Sequence, residues 1–427
     1  MKRNLESLIK ISLLSTIALF PLSTVLGYLG MGFTFILAVF NGDAKQLFEL
    51  GWKDKPLLLV IASFTLAIAF SKLLWLSVAI GLFVSGQLLL YLLVRAYLTK
   101  GRDIQKAILL TLLVSIVVST IGIYQYYFTN MDAAAQGWVD TNIYKDIPSR
   151  VFSTLFNPNV LGSYLIFIIA TALGCLDYAN GRRGAVLGLV ITVGTTCLLF
   201  TYSRGAWLGL AVSVILFLYW RKEKKYLLGI PIGLSALLFF DLPQLWSRIN
   251  PLTLQHDSST AYRLEIWQTS LRIFQDNPFW GTGMGTVWYE IASYNNNIYT
   301  FIAHSHNLYL QLAVEAGFFG LITFLILVGA VMLMNYDVYK HSRSRRHRGI
   351  ALGLLVGFTG IMVQGFVDAA IIAPQFGMLF WIYCGITKNL WEIGKKNKLN
   401  LQTPNQEPFY SLGEQTDENM VAAGYDK

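Results

Sequence analysis

The sequence is poor in charged residues and in cysteine. Charged residues make up only 13% of its 427 residues, about half the share found in globular domains, whereas hydrophobic residues make up 55%. The three cysteines, Cys175, Cys197 and Cys384, all fall within apolar runs, at spacings that match no metal site. We therefore expect buried free thiols. The composition excludes an ordinary soluble domain and indicates a protein that crosses a membrane several times.

Carboxylates are also scarce where a metal site would need them. Mg²⁺ and Ca²⁺ sites require several oxygen ligands close together. The acidic residues of the two longest polar segments are instead spread singly along the chain, at Asp132, Asp140, Asp146, Asp257, Glu265, Asp276 and Glu290. We therefore expect no metal and no other cofactor.

In a soluble protein the net charge of +9 would suggest a nucleic-acid partner. Here the placement of the basic residues explains that charge, so no nucleic acid is expected.

Long apolar runs are abundant. A helix needs about 20 residues to cross the hydrocarbon core, and an isolated strand would leave its backbone groups unpaired in lipid. We therefore predict an all-α polytopic membrane protein with about twelve transmembrane helices, near residues 9–27, 28–41, 56–71, 74–94, 107–127, 155–176, 185–202, 205–220, 226–241, 307–335, 350–369 and 373–390.

The basic residues predict the orientation of these helices. With the N-terminus inside, 26 of the 33 lysines and arginines fall in inward-facing segments. This predicts an inner (plasma) membrane protein with both termini in the cytoplasm. Residues 1–390 form the predicted transmembrane domain, and the polar tail 391–427 is expected to be disordered. Segment 242–306 becomes one long outer, periplasmic loop, which we expect to contain short helices lying over the membrane.

Arg204 is one of the few cations on the predicted outer side. It lies at a break between two apolar runs, within the segment 201–207. It is either an arginine that snorkels to the membrane interface or a guanidinium held at membrane depth to bind an anion. Arg150 and Arg248, also on that side, are weaker candidates.

Arg263 is the second outer cation of interest. In a helical stretch of the outer loop, Arg263, Trp267 and Ser270 fall on one face, and Arg272 follows nine residues after Arg263. The stretch is either a solvated surface helix or the source of a second cation for the same anion.

Two histidines stand side by side where the outer loop enters the next apolar run. His304 and His306 precede a predicted helix start, and the positive end of the helix dipole there favours a neutral imidazole that can accept a proton. Either residue could be the base.

Glycines 281–285 suggest a phosphate loop at first sight, but they match neither the P-loop nor the dinucleotide pattern. We interpret this run as a flexible turn.

Several of these motifs resemble the bacterial O-antigen ligase and polymerase superfamily. His306-Asn307, followed after nine residues by Gly317-Phe318-Phe319-Gly320, is similar to its signature. The segment 202–205 resembles its arginine turn and 156–162 its Asn-Pro-Asn element. The resemblance covers about residues 140–385. It looks closest to a cyanobacterial branch associated with inorganic carbon accumulation and labelled as a bicarbonate transporter. That branch commonly has a histidine where this chain has Gln364.

The resemblance implies glycan transfer from an undecaprenyl-diphosphate carrier to a hydroxyl of a glycan, lipid or protein acceptor. His306 would be the general base, and Arg204 and Arg263 would bind the diphosphate. The expected substrate-binding residues are His304, Asn307, Tyr309, Gln311, Arg272 and Asp368. A bicarbonate permease is the alternative, and it would need polar groups that continue toward the inner face. A regulatory or structural role is a third possibility.

Overall fold

The computed structural model describes residues 2–129, 150–176, 178–221, 258–295 and 304–402. In these residues all regular structure is helical, with short 3₁₀ turns at Ser153–Leu155 and Ala370–Ile372. The helices are α1 Lys2–Leu19, α2 Thr24–Phe40, α3 Ala44–Trp52, α4 Lys55–Ala69, α5 Leu74–Tyr97, α6 Gly101–Phe128, α7 Pro158–Leu176, α8 Arg182–Phe200, α9 Arg204–Arg221, α10 Ser258–Asp276, α11 Val287–Tyr294, α12 Leu308–His341, α13 Arg345–Gln364 and α14 Pro374–Gln402.

Six of these helices are long and apolar enough to cross a membrane, namely α5, α6, α7, α8, α12 and α13. A seventh span exists if α2 and α3, which meet at an angle of 109°, count as one. The prediction of an all-α polytopic membrane protein is therefore confirmed, and the count of twelve spans is not. Three predicted spans correspond to helices outside this set, namely α4, α9 and α14, and 226–241 lies outside the described residues.

The first predicted span, 9–27, is wrong in its boundaries. The chain turns between α1 and α2, at residues 20–23, and the turn contains Pro21. Proline lacks the backbone N–H that a helix interior needs, and Ser23 caps the new helix by accepting from Leu26 N at 3.4 Å. Apolar character alone does not reveal this break, because the residues on both sides of it are hydrophobic.

Helix α7 lies at the centre of the bundle, packed against α9 and α13. Glycines allow the close approach of backbones that membrane helices use for packing. A Cβ at Gly209 of α9 would lie 2.6 Å from the carbonyl oxygen of Gly360 in α13, and one at Gly174 of α7 would overlap Gly349. These contacts bring the beginnings of α7 and α9 and the end of α13 together at one end of the bundle.

Helix α12 is broken at Gly317, where φ is 65° and ψ is −166°. The break leaves helical backbone groups without their usual partners, and residues from the segment between α10 and α11 take their place. Phe318 N donates to Pro278 O at 2.7 Å, and Thr282 N donates to Val314 O at 2.8 Å. The non-helical segment is thus joined to the break by backbone hydrogen bonds.

The glycine run 281–285 is the turn that fits into this break. Gly281, Gly283 and Gly285 all have positive φ, and a Cβ at Gly281 would lie 2.5 Å from the backbone of Glu315. The expectation of a turn is confirmed. Its neighbours Thr282 and Thr286 are fully buried, however, so the turn is packed tightly rather than left flexible.

Helices α10 and α11 confirm the prediction of short helices in the segment 242–306. Lys72, in the turn between α4 and α5, ties this segment to the bundle: its Nζ lies 2.9 Å from Glu290 Oε2, and its backbone N donates to Thr282 O at 3.1 Å. The Glu290 carboxylate is buried, whereas the Lys72 side chain remains partly exposed. Residues 242–257 and 296–303 lie outside the described part.

Residues 391–402, the first part of the predicted disordered tail, are helical. Helix α14 continues through residue 391 to Gln402, and residues 403–427 lie outside the described part. Arg95 of α5 explains the extension, because its guanidinium donates to Asn389 Oδ1 at 2.6 Å and to Glu392 Oε1 at 2.7 Å. The three cysteines are buried and free, as predicted.

Candidate active site

Four elements enclose a cavity of about 250 Å³ at one end of the bundle. They are the first turn of α7, the turn that opens α9, the first half of α10 and the segment that follows α13. The lining residues are Arg150, Asn159, Tyr202, Ser203, Arg204, Gly205, Leu208, Thr260, Arg263, Leu264, Trp267, Gln364, Val367 and Asp368. Most of the polar side chains in this wall come from helix ends, where backbone groups are also available to a ligand.

The turn before α9 places Arg204 in the cavity. Tyr202 adopts φ of 49°, a left-handed conformation that reverses the chain just before the helix. Gly205 then lies against Val367 so closely that a Cβ would overlap it, and only glycine fits there. The Arg204 guanidinium reaches across to α10, where its Nη2 donates to Thr260 Oγ1 at 3.3 Å. The arginine is therefore directed into the protein rather than toward a lipid headgroup.

Helix α10 brings Arg263 and Trp267 to the same cavity, one turn apart. The predicted shared face is thus the inner face, and Ser270, one turn further on, is fully buried. The indole Nε1 of Trp267 is buried and has no hydrogen-bond partner among the described residues. Two guanidinium groups and one unsatisfied N–H donor therefore meet in the same wall, as suits an anionic ligand.

Arg150 and Asn159 form a buried network that ends at a carboxylate. Arg150 Nε donates to Thr201 O, and its Nη2 donates to Asn159 Oδ1, both at 2.8 Å. Since the Asn159 oxygen is engaged by a cation, its amide nitrogen faces the other way and donates to Asp368 Oδ2 at 2.6 Å. The guanidinium thereby fixes the amide orientation, and the amide fixes one oxygen of Asp368.

His306 lies beside the same Asp368 oxygen. The distance from His306 Nδ1 to Asp368 Oδ2 is 3.8 Å. His306 adopts φ of 52°, which only a few per cent of non-glycine residues do. Its ring contacts that of His304 at a centroid distance of 4.1 Å, and its backbone N donates to His304 Nδ1 at 3.2 Å. The histidines do not line the cavity themselves but reach it through Asp368.

Asn307 fixes the histidine segment to the start of α12. It is the N-cap of α12, accepting from Tyr309 N at 2.9 Å and from Leu310 N at 3.0 Å. Its amide nitrogen also donates to Phe366 O at 3.0 Å, which joins the cap to the segment carrying Asp368.

Further hydrogen bonds hold the same segment from either side. Gln311 Oε1 accepts from Ser305 N at 2.8 Å, and Gln311 Nε2 donates to Glu315 Oε1 at 2.7 Å. Tyr309 donates its hydroxyl proton to Met362 O at 2.7 Å. The strained backbone at His306 is thus fixed by neighbours on two helices.

Burial and charge set the ionisation of the two groups nearest His306. Burial lowers the pKa of His304 to about 4, although the negative charge of Asp368 opposes this. Burial raises the pKa of Asp368, but His306, His304 and the charge of Arg263 lower it more, to about 2. At neutral pH the site therefore holds a neutral His304 and an ionised Asp368.

The structure brings together five of the predicted site residues: Arg204, Arg263, Asp368, His304 and His306. Three others, Asn307, Tyr309 and Gln311, make hydrogen bonds to protein groups and do not line the cavity. Arg272 is exposed on α10 and lies outside the cavity wall, since it is two residues beyond the buried Ser270 face. The sequence-based predictions rank Arg150 as a weaker candidate and assign no role to Asn159. The Asn157-Pro158-Asn159 element is the sequence feature that could have identified Asn159.

Residues 187–325 match a family model described as O-antigen ligase. This range includes Arg204, Arg263 and both histidines of the site. The match covers about a third of the chain. It supports the predicted resemblance to the O-antigen ligases and a multi-pass membrane enzyme that transfers glycosyl groups. Arg150, Asn159 and Asp368 lie outside the matched range and come to the site only through the fold.

Curated proteins similar to the chain agree with this match. The teichuronic acid biosynthesis protein TuaE of Bacillus subtilis is 23% identical, over 84% of this chain and 75% of that protein. A candidate polysaccharide ligase of Rickettsia conorii is 29% identical, over 56% of this chain and 58% of that protein. A ComP-specific O-oligosaccharyltransferase of Acinetobacter baylyi is 25% identical, over 45% of this chain and 37% of that protein.

These relatives bear on two of the finer predictions. None of the three is named as a bicarbonate transporter, so the assignment to that branch stays a prediction. The chain spans less than two thirds of the Rickettsia and Acinetobacter proteins. Its donor, acceptor and mechanism are therefore proposals that rest on the site itself.

Proposed function

We propose that the chain transfers a glycan from an undecaprenyl-diphosphate carrier to an acceptor hydroxyl at the outer face of the inner membrane. The observation that carries this proposal is the shared cavity of Arg204 and Arg263, with the Asp368–His306 pair at its edge. In the reaction the acceptor oxygen bonds to the anomeric carbon of the glycan, the bond from that carbon to the diphosphate breaks, and the acceptor loses a proton.

The two arginines suit the leaving group. A diphosphate carries several negative charges, and planar guanidinium groups bind phosphate oxygens through pairs of parallel N–H donors. Arg204 comes from α9 and Arg263 from α10, so the diphosphate would be held between two helices. The buried indole N–H of Trp267 supplies a further donor in the same wall. Such fixed donors stabilise the charge that develops on the leaving group.

His306 suits the role of general base, oriented by Asp368. In this arrangement Nδ1 of His306 carries its proton toward Asp368, and Nε2 accepts the proton of the acceptor hydroxyl. The 3.8 Å separation is longer than a hydrogen bond, as is common before substrate is bound. Asp368, held in turn by Asn159 and Arg150, stays ionised and stabilises the imidazolium that forms.

The rim of the cavity suits a lipid-linked donor. Leu208 of α9 and Leu264 of α10 line the cavity and are 57% and 50% exposed. An isoprenoid carrier would leave by this apolar side while its diphosphate stays between the arginines. Guanidinium groups and exposed leucines in the lining of one cavity match a substrate with a polar head and an apolar tail.

Anion transport, the alternative that the sequence leaves open, receives less support. A permease would need a polar path from this cavity to the other end of the bundle. Below the cavity α9 and α13 touch at Gly209 and Gly360, and α7 and α13 touch at Gly174 and Gly349. Among the described residues these contacts are closely packed glycine seams rather than a polar path.

The test is glycan transfer by the purified full chain from a lipid-diphosphate donor, in the presence of a chelator. We expect His306→Ala to lose about 10²–10⁴-fold in rate, the range of a positioned base. His304→Ala should lose less. His341→Ala is the matched control, because His341 is exposed at the far end of α12 and pairs with Asp337 at 2.8 Å.

Each outcome decides something about the proposal. Full activity of His306→Ala with an inactive His304→Ala would assign the base to His304. Full activity of both variants would reject a histidine base. Activity that disappears in chelator and returns with Mg²⁺ would reject the metal-free mechanism.

A further inference from the structure

The contact between His306 and Asp368 is long for a hydrogen bond and short enough for a metal ion to bridge the two groups. His306 Nδ1 and Asp368 Oδ2 are 3.8 Å apart, whereas hydrogen bonds in proteins span about 2.7–3.2 Å. The Nδ1 atom is buried and has no hydrogen-bond partner in the described part of the chain. The unpartnered ring nitrogen and the carboxylate oxygen are placed so that a metal ion between them could bind both.

His304 completes a set of three ligands. One ligand atom each from His304, His306 and Asp368 lie within 4.8 Å of one another. Zn²⁺ binds histidine nitrogen and carboxylate oxygen at about 2.0–2.2 Å, which makes the edge of its tetrahedron about 3.4 Å. The observed 3.8 Å pair is close to that edge, and small side-chain rotations would close the set. The fourth position would remain for water or a substrate oxygen.

The surroundings give this ligand set support of the kind that metal sites use. The Asp368 oxygen nearest His306 also accepts a hydrogen bond from Asn159 at 2.6 Å, and Arg150 holds Asn159 in turn. Such outer partners orient the ligands of metal sites. Two imidazoles and one carboxylate favour Zn²⁺ and its transition-metal neighbours over Mg²⁺ or Ca²⁺. The sequence hid this set, because Asp368 lies far along the chain from the histidines.

We propose that His304, His306 and Asp368 bind one Zn²⁺ and that this metal reversibly inhibits the enzyme. The inhibition rests on the proposed function of His306. A metal on Nδ1 leaves the proton of the neutral ring on Nε2, so Nε2 can no longer accept the acceptor's proton. The metal also occupies Asp368, which otherwise orients the ring. The site is thus an inhibitory metal site, and catalysis does not require its occupancy.

Binding is measured directly, without reference to activity. The full chain in nanodiscs, freed of metal with a chelator that is then removed, is dialysed against Zn²⁺ and its metal content is determined. We expect one tightly held Zn²⁺ per chain. His304→Ala and Asp368→Asn should each weaken its binding by more than the roughly 10–100-fold that outer-partner changes cost. His341→Ala should leave it unchanged, since the surface His341–Asp337 pair supplies only two ligands.

A spectroscopic measurement on the unaltered chain tests the metal site even if the variants fail to fold. Co²⁺ in a four-coordinate nitrogen and oxygen site absorbs visible light far more strongly than octahedral Co²⁺, and Zn²⁺ should abolish that band by displacement. No tight Zn²⁺, or tight Zn²⁺ that survives both ligand variants, would overturn the proposal.

The activity assay separates this proposal from the proposed function. Transfer should fall with added Zn²⁺ over the same range in which the metal binds and should recover with chelator. Tight Zn²⁺ at these ligands without inhibition would overturn the inhibitory role. If, in addition, His306→Ala kept full activity, the assignment of His306 as the base would be wrong. Absence of binding beside an inactive His306→Ala would reject the metal site alone and leave the proposed function intact.

Discussion

Asn159 donates its amide hydrogen to Asp368 across 2.6 Å, and this contact joins the first turn of α7 to the segment after α13. Both residues are buried. Because the Arg150 guanidinium occupies the Asn159 oxygen, the amide has only its nitrogen to offer the carboxylate. The orientation of Asp368, and through it that of His306, is therefore set from the opposite side of the cavity.

The first prediction follows from this contact. Asn159→Ala should lower the turnover number of glycan transfer by roughly 10- to 100-fold, because a hydrogen bond to a charged group is worth about 1.5–3 kcal/mol. The Michaelis constant for the donor should change little, since Asn159 acts on the base rather than on the diphosphate. Steady-state kinetics at equal membrane abundance measures both. Ser213→Ala, a buried serine that bonds Gly209 O away from the cavity, is the control. Equal losses in the two variants would indicate a merely structural effect.

The second prediction concerns the diphosphate clamp. Arg204→Lys should lose about 10²-fold in rate, near 3 kcal/mol, because an ammonium cannot reproduce the paired donors of a guanidinium. Arg272→Lys should keep most activity, since Arg272 is exposed on α10 and does not line the cavity. The measurement is transfer from a purified lipid-diphosphate donor. Normal turnover in Arg204→Lys would make Arg204 a snorkelling arginine, and a strong loss in Arg272→Lys would return that residue to the site.

The sequence revealed those parts of the site that local patterns encode. Arg204 and Arg263 stood out because cations are rare on one side of the predicted topology, and His306-Asn307 stood out as a helix start. The pairings between helices could not be read in this way. Asp368 and His306 are brought together by the packing of α12 on α13, and Arg150 and Asn159 by the packing of α7 on both α8 and α13. Glycine seams produce that packing, and a glycine within an apolar run does not say which helix it faces.

The third prediction tests the break in α12. A Cβ at Gly317 would overlap the carbonyl oxygen of Phe279, and the residue has φ of 65°. Gly317→Ala should therefore destabilise the protein by about 1–3 kcal/mol, the cost of a strained backbone. Gly329 lies further along the same helix with open space around it, so Gly329→Ala should be neutral or slightly stabilising. Thermal unfolding in nanodiscs compares the two. Equal stability of the two variants would show that α12 does not require glycine at position 317, and so would contradict this account of the break.

The fourth prediction concerns the extension of α14. Arg95→Ala should lower the free energy of unfolding by about 1.5–3 kcal/mol, because it leaves Asn389 without a charged donor in a buried position. Lys53→Ala is the control. Lys53 pairs with Glu49 at 3.2 Å on the surface, where ion pairs contribute little. Proteolysis of the intact chain offers a second measurement, since loss of the Arg95 contacts should expose residues 391–402 to cleavage.

The last prediction tests the orientation on which the proposed function depends. Positively charged segments remain in the cytoplasm. Four arginines fall between residues 343 and 348, in the turn between α12 and α13 and the first turn of α13, whereas the segment carrying α10 has no such cluster. The three native cysteines are buried and should react little with a thiol reagent, so labelling reports on cysteines introduced at exposed positions. In intact cells a membrane-impermeant thiol reagent should label Arg272→Cys on α10. It should label Arg343→Cys, in the α12–α13 turn, only after the cells are opened. The reverse pattern would place the cavity on the cytoplasmic side, where the outer-face transfer reaction proposed here could not take place.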